Sequence, residues 1–145
     1  MAIPPSERET EADLGDLVMR VARGLRQRGA AVTAPWDLAP HQARALRVVA
    51  RHGQVRPGRI AAHLRVAPRS VTDVIDALEE RGLVERAPDP DDRRATVVTL
   101  TAPGRRLVDE IDEARRTDAH SFFSQLSERD RATLRRILAT LDEDG

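Results

Sequence analysis

The sequence predicts a mainly α-helical fold with one small β-hairpin, and three observations support this prediction. Several segments repeat apolar residues at intervals of three and four, the spacing that lines up one face of a helix. A polar turn with two prolines separates two short segments, and the second segment is rich in β-branched residues. This pattern is typical of a β-hairpin. The length of 145 residues suits a single domain with helical extensions.

Two helices are predicted before the centre of the chain. The first begins near Ser6, which has capping-box spacing with Glu9, and it ends in the breaker-rich stretch 29–40. The second runs from about Pro40 to His52, with Gly53 as its stop signal. Each of the two helices has an apolar face.

A helix-turn-helix is predicted in the middle of the chain. A short helix opened by Pro57 carries apolar residues up to Leu64, and a short link leads to a helix opened by Pro68. This second helix spans about residues 68–81, has one apolar face, and is closed by Gly82. Two helices joined by so short a link are typical of a helix-turn-helix, in which the second is the recognition helix.

The hairpin follows directly and is interpreted as a wing. Residues 83–87 and 95–101 are the two strands, and the charged turn 88–94 joins them. The wing therefore covers about residues 83–101. A helix-turn-helix with such a hairpin is a winged helix-turn-helix.

The rest of the chain is predicted to be helical. Thr101 caps one helix and Ser127, with Asp130 three residues later, caps the last. From the N-terminus, we expect a dimerisation helix in 1–36, the winged helix-turn-helix in 37–101, and dimerisation helices in 102–145.

Composition narrows the possible functions. Cysteine is absent, which excludes disulfides and thiolate metal sites, and all 24 basic residues are arginine, as a GC-rich genome would favour. The net charge is zero, yet residues 41–106 hold 13 arginines against eight acidic residues. A basic middle between acidic ends suits a nucleic-acid reader. No apolar run resembles a signal peptide or a membrane span, so the expected location is the cytoplasm.

Four motifs in order resemble the MarR (multiple antibiotic resistance regulator) family. They are the helix Ile60–Leu64, the recognition segment Val71–Val84, the wing Asp89–Arg94 and its exit Leu100–Gly104. The resemblance covers roughly residues 38–111. It implies a bacterial transcriptional regulator that binds double-stranded DNA as a homodimer, with repression as the commoner mode.

The candidate DNA contacts lie on the recognition helix and around the wing. With the apolar stripe of the helix turned inward, its first exposed side chains would face base edges in the major groove. Arginine at the wing can enter the narrow minor groove. The predicted DNA-binding residues are Arg69, Ser70, Thr72, Asp73, Arg93, Arg94, Arg56 and Arg86.

The resemblance also implies an ion pair between wing and recognition helix. The motif match assigns it to Asp76 and Arg94, which would leave Arg93 with more of the contact to the groove. One departure from the family is Ala67, where a serine usually caps the recognition helix.

Dimerisation and effector binding are expected at the two ends of the chain. Apolar faces far from the central motif have little to bury against in a monomer. The predicted dimerisation residues are Leu14, Leu17, Val21, Phe122, Phe123, Leu134, Ile137, Leu138 and Leu141. The resemblance further implies a small aromatic or anionic effector between these helices and the winged domain. Its candidate contacts are Trp36, His41, Arg20 and Arg44.

Other functions find less support in the sequence. The four histidines are scattered, without a nucleophile pattern, a glycine-rich phosphate loop or an HExxH spacing, so no enzyme, cofactor or metal site is predicted. Two alternatives stay open: a winged-helix module that binds proteins rather than specific DNA, and a metal-responsive regulator.

Overall fold

The computed structural model describes residues 5–143, and the side chains of residues 10–142. The capping box predicted at Ser6 and Glu9 lies outside the described side chains. In the described part, six helices are α1 Pro5–Thr33, α2 Pro40–His52, α3 Pro57–Leu64, α4 Pro68–Glu80, α5 Ala102–Phe123 and α6 Glu128–Glu143. Three strands are β1 Gln54–Val55, β2 Val84–Pro88 and β3 Thr96–Leu100. This mainly α-helical fold with a β-hairpin confirms the predicted fold class.

Proline opens the three helices at the centre of the chain. Pro40, Pro57 and Pro68 lie in the first turns of their helices, and the residue before each is extended, with ψ between 142° and 149°. Proline disfavours helical backbone in the residue before it, and its missing N–H is not needed in a first turn. The three predicted helix starts are therefore confirmed.

Two glycines close α2 and α4 as predicted. Gly53 has φ of 76° and Gly82 has φ of 69°, in the region where a side chain is strained. Gly82 donates its N–H to the Glu79 carbonyl at 2.8 Å, and Leu83 donates to the Leu78 carbonyl at 3.0 Å. This pair of bonds is the Schellman end of a helix, and it turns the chain from α4 straight into β2.

The first helix ends within the breaker-rich stretch 29–40, as predicted. Gly29 does not end it, and α1 continues to Thr33. A single 3-10 turn, Ala34–Trp36, then separates α1 from α2, with a proline in its first positions. A glycine inside a helix costs only about 1 kcal/mol relative to alanine, which packing outweighs.

The sheet has one strand more than predicted. The hairpin β2–β3 is antiparallel as expected, and β1 pairs with the other edge of β3, giving the order β1-β3-β2. The strand β1 is only two residues long, Gln54 and Val55. A pattern of alternating burial cannot be recognised in so short a segment.

The core joins α2, α3, α4, the sheet and the first half of α5. Its fully buried large side chains include Leu46, Val49, Val55, Ile60, Val71, Ile75, Leu78, Val98 and Ile111. Val108 and Ile111 belong to α5, so the core continues past residue 101, where the winged domain was expected to end. The first half of α5 therefore packs into the same core as α2, α3, α4 and the sheet.

The two ends of the chain contribute little to this core. The described part of α1 is exposed up to residue 21, and α6 has no buried residue among those described. Close to its end, α1 is tied to α5 by an ion pair of Arg28 with Asp118 at 2.7 Å, and the Arg28 guanidinium lies 5.4 Å from the centre of the Phe122 ring. Within the described residues, no helix combines the length and apolar character needed to cross a bilayer.

The start of α5 is packed against the end of the recognition segment without room for a side chain. A Cβ on Gly104 would lie 1.9 Å from the carbonyl oxygen of Leu83. We expect Gly104→Ala to lower the free energy of unfolding by about 3 kcal/mol, because the clash is with backbone. Urea unfolding followed by circular dichroism measures the difference.

A matched control is available in α3. Gly58 also lies in the first turn of a helix, and a Cβ there would meet no heavy atom within 4 Å. We expect Gly58→Ala to change the stability by less than about 0.5 kcal/mol. An equal decrease in the free energy of unfolding of the two variants would contradict the close approach at Gly104.

Candidate nucleic-acid interface

The recognition helix α4 buries one face and exposes the other. Its buried side chains are Val71, Val74, Ile75 and Leu78. The predicted reading residues Arg69, Ser70, Thr72 and Asp73 are all exposed. Ala67 supplies no side-chain cap, so the first N–H groups of α4 lack a side-chain acceptor. Pro68 has no N–H, and the N–H of Ser70 donates to the Ala67 carbonyl at 3.0 Å. The positive end of a helix still suits a phosphate oxygen.

The hairpin tip presents two arginines to solvent. Arg93 and Arg94 are exposed, and among the described residues neither guanidinium has an ion-pair partner. The backbone N–H of Arg94 donates to the Asp92 carboxylate at 3.1 Å, which shapes the turn. The two cationic side chains are therefore free to meet an anionic partner.

The ion pair between wing and recognition helix exists, but the prediction of its arginine is wrong. Asp76 of α4 accepts a hydrogen bond from Arg86 of β2, not from Arg94. Arg86 also donates to Glu79, one turn further along α4. Although partial burial opposes the charge, the hydrogen bonds and charges of the two carboxylates raise the pKa of the Arg86 guanidinium.

The position of Arg94 explains the error. The strand β2 packs directly on α4, which brings Arg86 beside the helix. Arg94 lies beyond the last paired residues, Pro88 and Thr96, in the turn at the hairpin tip. A motif in the sequence shows which residue types recur, but the strand register decides which side chain meets Asp76.

A second ion pair holds the turn of the wing. Arg56, just before α3, donates to Asp89 at 2.6 Å, and the side chain of Asp89 is only 9% exposed. The N–H of Asp91 also donates to this carboxylate at 2.9 Å. That N–H and the Arg56 guanidinium lower the pKa of Asp89, although burial opposes them. Arg56 and Arg86, predicted as DNA contacts, thus fix the wing to α3 and α4.

The predicted effector residues do not come together. Trp36 donates from its indole nitrogen to Glu110 of α5 at 3.1 Å and lines a cleft of about 790 Å³ along α5. His41 lines a different depression, beside α4, and Arg44 donates to the backbone carbonyl of His63 at 3.2 Å. Arg20 is exposed on the outer part of α1. His41 and Arg44 lie away from the Trp36 cleft because the rotation of the helix turns the start of α2 toward α3 and α4.

One contact was not predicted from the sequence. Arg81, the residue after α4, donates to the backbone carbonyls of Trp36 at 2.7 Å and Asp37 at 2.8 Å. It connects the end of the recognition helix to the turn between α1 and α2. No sequence signal identifies this contact, because its acceptors are main-chain oxygens about 45 residues away.

These features together define a winged helix-turn-helix protein. The MarR family profile matches residues 38–96, from just before α2 to the start of β3. An uncharacterized HTH-type transcriptional regulator from Mycobacterium bovis is 35% identical over 142 residues, or 95% of this chain and 96% of that protein. The chain therefore belongs to the MarR family, and it is a transcriptional regulator rather than an enzyme.

Solved structures share this architecture. A MarR family protein from Bacillus stearothermophilus superposes with a TM-score of 0.87 at 26% identity, over 99% of this chain and 98% of that one. A mutant of MarR from E. coli, complexed with operator DNA, gives a TM-score of 0.72 at 24% identity, over 89% and 93% of the two chains. At 24% identity, the likeness to the E. coli protein shows a shared fold.

The two arginines of the wing should differ in what they stabilise. We expect Arg86→Ala to lower the free energy of unfolding, because two carboxylates on α4 lose their counter-charge. The loss should be about 1 kcal/mol, since partly exposed ion pairs contribute little to stability. Arg94→Ala should change it by less than about 0.5 kcal/mol. Urea unfolding of both variants tests this, and the reverse order of losses would restore the pairing of Asp76 with Arg94.

Proposed function

We propose that this protein is a homodimeric repressor that binds a pseudo-palindromic operator and releases it when a small ligand binds. The observation that carries the proposal is the arrangement of α4 and the wing. The exposed start of α4 lies beside a wing that is tied down by Arg56 and Arg86, while Arg93 and Arg94 remain free at its tip. A DNA-bound relative with the same fold supports this use of the surface.

The two sets of arginines suit different parts of DNA. Arg69 at the start of α4 can donate two hydrogen bonds to guanine in the major groove, and Thr72 can contact a thymine methyl group. Arg93 and Arg94 can enter the adjacent minor groove, where the negative potential is strongest. Asp73 can accept from cytosine, although it lies close to phosphates. Contacts to base edges in the major groove then come from α4, and contacts in the minor groove come from the wing.

Dimerisation is proposed through the exposed apolar faces of α1 and α6. Leu14 and Leu17 are 59% and 47% exposed on α1, and Leu138 and Leu141 are 46% and 64% exposed on α6. Phe123, Leu134 and Leu138 also line a groove between α5 and α6. Contiguous apolar surface of this kind marks an interaction site, and a second copy of the chain supplies matching faces. A dimer bound across its operator excludes other proteins from that DNA, which is repression.

Selection of sequences from a random duplex pool tests this proposal. We expect enrichment of an inverted repeat with half-sites roughly 10 bp apart, one turn of the duplex. Binding should weaken steeply as salt rises, because neutralised phosphates release counterions. Enrichment of a single half-site would contradict the dimer, and no enrichment at low salt would contradict specific DNA binding.

Two variants separate the parts of the proposal. Arg69→Ala should weaken binding by about 1–3 kcal/mol, and it should leave the sedimentation coefficient unchanged. Leu138→Glu should shift sedimentation toward the monomer, because it places a charge in an apolar contact, while the winged domain stays folded. Loss of folding in Leu138→Glu, read by circular dichroism, would mean that this face is needed within one chain.

The ligand is proposed to bind in the cleft between Trp36 and α5. The cleft also contains Asp109, Glu110, Glu113 and Asp118, of which Glu113 and Asp118 are paired with arginines. Aromatic rings stack on an indole, and the unpaired carboxylates repel anions. The proposed effector is therefore an aromatic compound that is neutral or cationic, whereas the sequence suggested an aromatic or anionic one.

The charge of the effector can be tested with two probes of similar shape. The protein contains one tryptophan and no tyrosine, so the emission of Trp36 reports this cleft alone. We expect benzamidine, a cation, to change the emission at lower concentration than benzoate, an anion. Glu110→Gln should reduce the difference between the two. Stronger binding of benzoate would contradict a cationic or neutral effector.

The alternatives from the sequence are not favoured. The family relationship supports a DNA-binding regulator over a protein-binding module. Within the described residues, no three side chains of histidine, aspartate or glutamate are grouped as metal ligands would be.

A further inference from the structure

We propose that Arg81 couples the recognition helix to the turn that carries Trp36, so that the cleft beside the indole and the position of α4 change together. The inference rests on the proposed function, because it assigns a role to one residue in the regulation of DNA binding. Arg81 is a positioning residue: it acts through the backbone of the turn and contacts neither DNA nor ligand.

Arg81 links the end of α4 to this turn through an exposed guanidinium. The residue caps α4 with helical backbone, and its N–H bonds to carbonyls of the last turn. Its two terminal nitrogens donate to two successive carbonyls, those of Trp36 and Asp37. A planar guanidinium that donates twice fixes both the distance and the orientation of its partner. A displacement of the turn is therefore passed to the end of the recognition helix.

The turn that Arg81 contacts contains a residue in the left-handed conformation. Asp37 has φ of 52°, a left-handed conformation that glycine favours and that aspartate adopts more readily than most other residues. Its N–H bonds to the Ala34 carbonyl at 3.0 Å, and the following Leu38 is anchored in the core. The strained backbone is thus held in place by its surroundings, and the Arg81 fork is part of them. Without the fork, the ordinary right-handed or extended conformation of Asp37 becomes more favourable.

The indole connects this turn to the cleft. Trp36 is only partly buried, and its hydrogen bond to Glu110 crosses from the turn to α5. A ligand that stacks on the indole or binds Glu110 would compete with this bond and move the turn. Coupling between two sites acts in both directions, so DNA bound to α4 must also change the surroundings of Trp36. This reciprocal effect can be measured without knowing the natural effector.

The emission of Trp36 during titration with operator DNA tests the proposal. The reading residues lie at the other end of α4, and Asp73 is roughly 12 Å from Arg81 along the helix axis, so DNA does not reach the turn through these residues. We expect a shift of the emission maximum and a change in acrylamide quenching when the wild-type protein binds its operator. In Arg81→Ala both changes should be lost, while DNA binding, followed by anisotropy of a labelled duplex, persists.

Two further variants serve as controls. Arg106 is exposed on α5 and has no ion-pair partner in the described part of the chain, so Arg106→Ala should respond like the wild type. Arg81→Lys keeps the charge but offers one ammonium in place of the fork, and it should show a smaller emission shift than the wild type. It also replaces Arg81→Ala if that variant does not fold.

The outcomes distinguish this inference from the proposed function. An unchanged emission in wild-type protein that binds the operator, or a full shift in Arg81→Ala, would overturn the coupling and leave the DNA-binding function intact. Absence of DNA binding by the wild type in the anisotropy measurement would overturn the proposed function itself. A shift lost in Arg81→Ala and kept in Arg106→Ala supports the role of Arg81.

Discussion

Burial of the apolar face of α4 is the constraint on which the rest of this structure depends. Val71, Ile75 and Leu78 are almost completely removed from solvent, and each such side chain contributes about 1.5–3 kcal/mol. The burial fixes the rotation of the helix about its axis. Every other side chain of α4 then has an assigned direction: Asp73 points to solvent, and Asp76 points to the wing. Packing of the core thus determines which side chains of α4 are exposed.

The arginines described above fall into two groups, those bonded within the chain and those left free. Arg56, Arg81 and Arg86 donate to acceptors within the chain and hold the hairpin, the turn and the helix in fixed positions. Arg93 and Arg94 have no such acceptors in the described residues and keep their hydrogen-bonding capacity for a partner. An arginine that stabilises the fold therefore differs from one that stays free by having a carboxylate or carbonyl nearby, which sequence composition does not reveal.

Local signals explain which parts of the fold were predictable. The bounds of α2 agree with the prediction because proline and glycine act on their immediate neighbours. The strand β1 was missed because two residues have no periodicity, and the helix α1 passed Gly29 because packing outweighs one glycine. The reading face of α4 followed from helical spacing, but the partner of Asp76 depended on strand register, and the fork of Arg81 depended on main-chain atoms distant in sequence.

The contact between Gly104 and Leu83 has a mechanical consequence. It joins the first turn of α5 to the segment between α4 and β2, and Thr101 reinforces it with hydrogen bonds to the Gly82 and Leu83 carbonyls. Val108 and Ile111 anchor the first half of α5 in the core, so only its second half, residues 112–123, is able to act as a lever. These 12 residues span roughly 18 Å, and a tilt of about 5° at Ile111 displaces their far end by roughly 1.6 Å. A small change of angle at this fulcrum is therefore largest at the end next to α6.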